Sequence, residues 1–469
     1  MKHLFNRVKP RFVPPLDEGF RPAVLANRAF QAQVEAAGGG IPLILALERP
    51  GGAISRFETC VLPLDHPEAK ANFEYVERIF KFLLWQRGGY KVYVGGPQDV
   101  GEHLAQCYSP QGARAFDHHF MGREIYDAPL TVVACTPEQM PPVRESGQAL
   151  GRHLDGCRIG FDLGASDRKV SAVIDGEAVF SEEVIWQPRE NSDPEYHYRE
   201  VMAALKTAAA KMTRVDAIGG SAAGVYVDNQ VRVASLFRGV PPEKYDLIRT
   251  LFLRMGDELG VPLEVINDGD VTALAGSMSL EDGGVLGIAM GSSEASGYVN
   301  LEGNITGWLN ELAFAPIDYN PDAPEDEWSG DRGVGALYFS QQCVFRLAPR
   351  AGIDIPSGLT LADQLKFVQD RLETGHEGAR QIWQSIGVYL GYAIAHYADF
   401  YPIKHVLILG RCTSGRGGSL ILDGAREVLQ AEFPALAAGI NIQLPDEKSR
   451  RVGQAIAAAS LPVIQKPGF

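Results

Sequence analysis

Cys157-Arg-Ile-Gly-Phe-Asp-Leu-Gly-Ala-Ser-Asp-Arg-Lys-Val-Ser-Ala-Val-Ile-Asp-Gly176 is the stretch from which the fold is read. Its apolar run from Cys157 to Leu163 predicts a buried strand. The alternation from Lys169 to Ile174 predicts a hairpin partner, and Asp175-Gly176 a turn into a third strand ending near Glu183. Beyond this meander, Pro194 behind Asp193 opens a helix through alanine-rich sequence to Met212. A strand from Val215 to Ser221 follows. Next comes a helix from about Pro242, with Tyr245, Ile248, Phe252, Met255 and Leu259 on one face and Gly260 as its stop signal. The strand Val261 to Ile266 delivers Asn267-Asp268.

The order then recurs. Val285 to Met290, Gly297 to Leu301 and Asn304 to Thr306 predict three strands, Gln381 to Phe400 a long helix and His405 to Leu409 another strand. Ala425 to Phe433, Ile440 to Leu444 and Arg451 to Ser460 add helix, strand and helix. Two β-β-β-α-β-α-β repeats imply an α/β protein with two similar lobes facing a cleft, residues 157–280 and 283–469, the last helix packing back on the first lobe. Asp162, Asn267-Asp268 and Met290-Gly-Ser-Ser293 all end apolar runs, where α/β sheets commonly handle nucleotides and small substrates.

Taken together, these segments resemble the ROK family of glucokinase-type enzymes and sugar-responsive repressors, of the actin-like ATPase fold with ribonuclease H-like lobes. The resemblance covers about Arg158 to Leu461. Asp162-Leu-Gly-Ala-Ser166 is similar to a first phosphate motif of the Asp-x-Gly-x-Thr type. Gly219-Gly-Ser-Ala-Ala-Gly224, with Asp228 behind it, stands in the place of the family's Gly-x-x-x-Pro-Gly-x-x-Asp segment. Val265-Ile-Asn-Asp-Gly-Asp270, running into Ala273-Leu-Ala-Gly276, resembles the Asn-Asp-Ala-Asn-Ala-Ala-Ala-Leu signature, and Leu309-Asn-Glu-Leu312 lies where Ala-Gly-Glu is expected.

The resemblance implies an ATP-dependent kinase acting on a hexose or amino sugar. Asp268 would be the general base, and Asn267, Glu311 and Gly220 would contact the sugar. Asp162 would act near Mg2+ through water, and Gly164, Ser166, Gly291, Ser292, Gly410 and Arg411 would line the nucleotide. Phosphoryl transfer asks mainly for positioning and charge stabilisation, so a carboxylate opposite a cradled Mg-ATP suffices. A homodimer is expected on the same ground.

The departures carry equal weight. Gly291-Ser-Ser-Glu-Ala-Ser-Gly297 replaces a nearly all-glycine loop, and Glu294 would repel ATP by roughly several kcal/mol at close, poorly solvated range and by little if it points to water. Gly410-Arg-Cys-Thr-Ser-Gly415 replaces a glycine triplet, and Arg411 either binds phosphate or fills the adenine slot. These changes support an alternative: a non-catalytic sugar-binding or regulatory protein with degenerate nucleotide loops. The family's structural zinc is not expected, because Phe314 stands at its histidine position and none of the six cysteines forms a Cys-x-x-Cys pair. His118-His119 is read as strand, which would send the two rings to opposite faces.

Residues 1–150 lie outside the resemblance and predict an accessory α/β domain. It has a polar, proline-rich start through Pro22, a strand Ile41 to Leu47, a helix Ala69 to Gln86, and strands Tyr90 to Val94 and Leu130 to Ala134. Pro141 to Gly156 reads as the linker, and Asp318 to Asp331 as an exposed acidic loop. With 469 residues, 45% hydrophobic and 22% charged, the chain has the make-up of a soluble protein of two or three domains. A net charge of −14 gives no encouragement to nucleic acid or an anionic membrane as partner. The basic start Met1 to Val13 lacks the apolar core of a signal peptide, and no apolar run is long enough to span a bilayer, so the expected compartment is the cytoplasm.

Overall fold

The structure is a computed structural model that describes residues 8–145, 150–445 and 447–464. Residues 1–7 of the basic start and 146–149 of the expected linker lie outside the described residues. Within those described, the chain divides into two compact units. The larger comprises Met1–Ser146, Ile288–Ser296 and Gly307–Leu444, the smaller Gly147–Gly287, Gly297–Thr306 and Pro445–Phe469.

The smaller unit is built on a five-stranded sheet in the order Leu263–Asn267, Ala217–Ala222, Cys157–Leu163, Asp167–Ile174, Glu177–Ile185. The first three strands run parallel and the last two complete the antiparallel meander read from the sequence. Asp193 caps helix Pro194–Ala209 by accepting the Glu195 N–H at 3.1 Å. Gly260 ends helix Leu251–Leu259 in the left-handed conformation, at φ 66°. Ile159, Phe161, Leu205, Phe252 and Val265 fill the core on one face of the sheet. Gly160 and Gly219 face the other way, onto helix Glu447–Ala459. A β-carbon on Gly160 would lie 2.0 Å from the Ala455 carbonyl oxygen, and one on Gly219 would lie 1.7 Å from that of Ala458. Glycine is required at both because helix backbone touches strand backbone.

A second sheet has the order Glu294–Val299, Val285–Met290, His405–Leu409, Asn441–Gln443. Its first two strands carry the chain from one unit to the other and back. The order repeats that of the five-stranded sheet with the outermost strand missing. Asn304 to Thr306 does not form the expected strand. After the turn at Gly303 (φ 83°) only an isolated Val299–Ile305 bridge forms, and Ile305 bridges Leu150 as well. In the larger unit, helices Glu377–Tyr397 and Arg416–Glu432 meet at Gly387 and Gly424.

The N-terminal part of the larger unit adds a sheet in the order Ala53–Val61, Ile41–Arg49, Lys91–Gly95, Thr131–Cys135. Helix Ala23–Ala36 and strand Ala53–Val61 had no counterpart in the sequence reading. The start is not merely polar chain: Phe20 is buried, and Asp17 takes hydrogen bonds from Arg346 and Tyr389. His118 and His119 sit on helix Ala115–His119 rather than on a strand, since Arg114 to His119 closes helical hydrogen bonds.

The acidic segment is the largest correction. Asp318, Asp326 and Asp331 are buried instead of solvated, whereas Asp322, Glu325 and Glu327 are exposed as expected. Asp331 is held by Arg114 at 2.6 Å, Arg78 at 3.3 Å and Lys81 at 3.5 Å. Lys81, wholly buried, also pairs with Asp117 at 2.6 Å. Burial of Asp331, Asp117 and Lys81 is tolerated because each meets opposite charges, whereas Asp318 accepts the Tyr338 hydroxyl and Asp326 the Ser329 hydroxyl, each at 2.6 Å.

A half-buried aspartate pair and two glycine loops

Asp162, Ser221 and Asn267-Asp268 converge because three parallel strands end together. In register, Asp162 lies beside Ser221, and Ser221 beside Ile266. The Ser221 hydroxyl donates to Asp162 Oδ1 at 2.7 Å. Asn267 is the N-cap of helix Asp268–Leu280: its Oδ1 accepts the Gly269 N–H at 2.7 Å, and its Nδ2 donates to the Gly224 carbonyl at 2.8 Å. Both ends of the amide therefore have a structural task. Asp268 opens the helix, where the N-terminal dipole favours a carboxylate, and its Oδ1 accepts the Gly269 N–H at 3.1 Å.

Asp268 and Asp162 are each half-buried, so both keep an opening to solvent. Burial, and after it the Asp162 charge, push the Asp268 carboxyl up to about 6. Burial also raises Asp162, against the lowering effect of the Ser221 hydroxyl. The result is a carboxylate that is ionised at neutral pH yet holds its proton far better than a free aspartate, as suits a general base. Ser221 was not singled out as a site residue in the sequence. The signal was there in its strand-end position, one lattice step from Asp162.

Gly220, expected at the substrate, sits buried in the sheet with the Phe161 ring against it; a β-carbon there would lie 2.2 Å from that ring. That packing accounts for the glycine. Gly164 and Ser166 belong to a tight hairpin turn: the Gly164 N–H donates to the Asp167 carbonyl at 2.9 Å, and the Ser166 hydroxyl to Asp167 Oδ2 at 2.9 Å.

In the larger unit, Gly291 and Gly410 are neighbours. Gly410 (φ 97°) would place a β-carbon 2.6 Å from the Met290 carbonyl oxygen, so the two loops leave adjacent strands side by side. Ser292 and Arg411 are exposed. The Gly291 N–H is committed to the Ser293 carbonyl at 3.0 Å. Glu294, expected to face the phosphates, turns inward. It is 4% exposed and close to neutral at pH 7, because burial, with Glu311 nearby, lifts its carboxyl to about 8. Ser296 donates to its Oε1 at 3.2 Å, while Oε2 is buried without a hydrogen bond. The repulsion expected from Glu294 is therefore absent at this position.

Glu311 lies half-buried on a loop held by helix Ala71–Arg87, through its N–H to the Trp85 carbonyl at 3.0 Å and the Asn310 N–H to the Gln86 carbonyl at 2.8 Å. Phe314, at the zinc histidine's place, packs against Trp85, Phe120 and Trp328.

The residues fit a nucleotide in part. Ser292 and Arg411 offer a hydroxyl and a guanidinium, whereas the Gly164 and Gly291 amides already serve their own turns. For Mg2+ the set is small: no group of three or more ligating side chains exists among the described residues. Asp162 would hold such an ion through water, which completes its shell, as Mg2+ allows.

No family model and no curated protein matches the sequence. Among solved structures, the chain is similar to a ROK hexokinase from Thermus thermophilus, with a TM-score of 0.51 at 16% identity over 64% of this chain and 97% of that one. A ROK family glucokinase from Streptomyces griseus, in complex with glucose and AMPPNP, aligns at 0.47 with 20% identity over 65% and 99%. A ROK family transcriptional regulator, a homologue of the E. coli MLC protein, aligns at 0.49 with 19% identity over 66% and 79%. No helix among the described residues is long and apolar enough to cross a membrane. The chain is an α/β protein with the actin-like fold of the ROK family.

Proposed function

We propose that this protein is a sugar kinase transferring phosphate from ATP to a hydroxyl of a hexose or amino sugar, with Asp268 as general base. The observation that carries the reading is the Asp268 carboxyl itself, half-buried at a helix N-terminus and raised to about 6 beside Asp162. Bound ATP with Mg2+ supplies the phosphoryl group and neutralises charge on it. Asp268 accepts the proton of the attacking hydroxyl at a carboxylate oxygen. Asp162, steadied by Ser221, keeps the local field negative and would hold the ion through water. Ser292 and Arg411 would meet the phosphates, in place of the occupied Gly164 and Gly291 amides. Asn267 and Glu311 are assigned to sugar hydroxyls by the resemblance, as is a homodimer.

A coupled ADP-release assay over hexoses and amino sugars tests the reading. Turnover should appear with at least one sugar and fall by about 100-fold or more in Asp268→Asn, the scale of a lost general base. Turnover that survives the substitution would sink the base assignment.

A second reading, a sugar-binding regulator without catalysis, is favoured by the committed glycine amides at both loops. Its signature is sugar heat without ATP heat in titration calorimetry.

A further inference from the structure

In the N-terminal part of the larger unit lies a cavity of about 560 Å3, and none of the residues assigned to phosphoryl transfer lines it. We propose that this cavity is a binding site for a small uncharged polyhydroxylated ligand of the sugar or polyol class.

Its walls are a sheet face and two helices. Strand Ala53–Val61 contributes Phe57 and Thr59, which share a face because strand side chains alternate. Helix Ala23–Ala36 brings Arg28 and Gln31, and helix Ala71–Arg87 brings Tyr75. Phe400 closes one end, stacked on Phe57 with ring centroids 5.2 Å apart. Phe400 is stacked on Phe82 as well, at 4.2 Å, so the half-buried Phe57 supplies the ring surface suited to the apolar C–H face of a pyranose or cyclitol.

The polar groups are already ordered. Gln31 Nε2 donates to Thr59 Oγ1 and to the Cys60 carbonyl, each at 3.1 Å, and the Thr59 and Tyr75 hydroxyls are 2.9 Å apart. Arg28 and Asp399 pair at 3.2 Å, and their side chains remain 45% and 38% exposed. Together they offer strong donors beside a strong acceptor. A hydroxyl both donates and accepts, so vicinal hydroxyls can satisfy such a pair without breaking its neutrality. An anion finds no unpaired cation here, since Arg28 pairs with Asp399 and the lining residue Glu58 is itself paired with Arg56 at 3.2 Å. The volume falls in the range of small-molecule sites, roughly 300 to 1,000 Å3.

The test is independent of catalysis. The full chain carrying Asp268→Asn and Glu311→Gln, which silences the proposed kinase residues, is titrated calorimetrically with glucose, sucrose and myo-inositol. Glucose 6-phosphate and gluconate serve as charged comparators. An uncharged polyol should bind saturably and slow amide hydrogen exchange in residues 23–36 and 53–61. Adding Arg28→Leu and Asp399→Leu should weaken that binding by about tenfold or more, the loss expected for charge-assisted hydrogen bonds, with the unfolding midpoint checked alongside. The proposal is overturned if no polyol binds at millimolar concentration, if only the charged comparators bind, or if protection falls outside those two segments. ADP release does not enter this measurement, so the kinase reading can fail while this one stands, and the reverse.

Discussion

The Glu311 N–H donates to the carbonyl oxygen of Trp85 at 3.0 Å, at the last turn of helix Ala71–Arg87. The final carbonyls of any helix lack intrahelical partners. Here two of them are satisfied by Asn310 and Glu311, so an N-terminal helix fixes the loop that carries a proposed sugar ligand. Asn310 supports it further, adopting φ 53° and accepting the Tyr401 hydroxyl at 3.0 Å.

Lys81 anchors the same helix. In Lys81→Met, Asp117 and Asp331 lose a buried countercharge, and stability should fall by about 3–5 kcal/mol, as for other broken buried pairs. Denaturant unfolding measures it. A loss below about 1 kcal/mol would mean that Trp85 Nε1, which donates to Asp117 Oδ1 at 2.7 Å, and the two arginines carry the cluster without Lys81.

Asp268 should set the acid limb of the pH profile. A base must be deprotonated to act, so kcat/KM should rise with pH through about 6 and then level off. In Asp268→Asn the remaining activity should lose that limb. An unchanged limb in the variant would assign it to another group.

Glu294 should make the fold sensitive to alkali. Its folded-state value near 8 lies above the ordinary 4.5, so its contribution is fully present below about 4.5, declines above it, and is lost as pH passes 8. Glu294→Gln removes the ionisation, and above pH 8 the variant should be the more stable by roughly a few kcal/mol. Thermal melts from pH 6 to 9 should therefore diverge with rising pH, and parallel melts would show that the carboxyl is not buried as described.

Gly219→Ala should unfold the smaller unit or cost more than about 3 kcal/mol, since the new β-carbon would sit 1.7 Å from the Ala458 carbonyl. Gly260→Ala, whose β-carbon would meet nothing within 4 Å, should cost only the strain of a left-handed alanine, about 1 kcal/mol. Equal losses in the two variants would exclude the helix-on-strand contact as the cause.

What could be read from the amino-acid order was what local chemistry controls. The meander of Cys157–Leu163, Asp167–Ile174 and Glu177–Ile185, the Asp193 cap and the Gly260 stop all follow from periodicity and backbone preference over a few residues. So does the arrival of Asp162 and Asn267-Asp268 at strand ends, which put the aspartate pair within reach of prediction. Tertiary structure decided where each polar side chain turned. Glu294 reads as a loop residue but opens strand Glu294–Val299, which is buried at five of its six positions. Asp331 looked solvated because its countercharges, Arg78, Lys81 and Arg114, lie more than two hundred residues away. Likewise, the Trp85 and Gln86 carbonyls become partners of Asn310 and Glu311 only after folding. Strand and turn chemistry is local, whereas charge burial and the fate of helix ends depend on residues that no sequence window holds together.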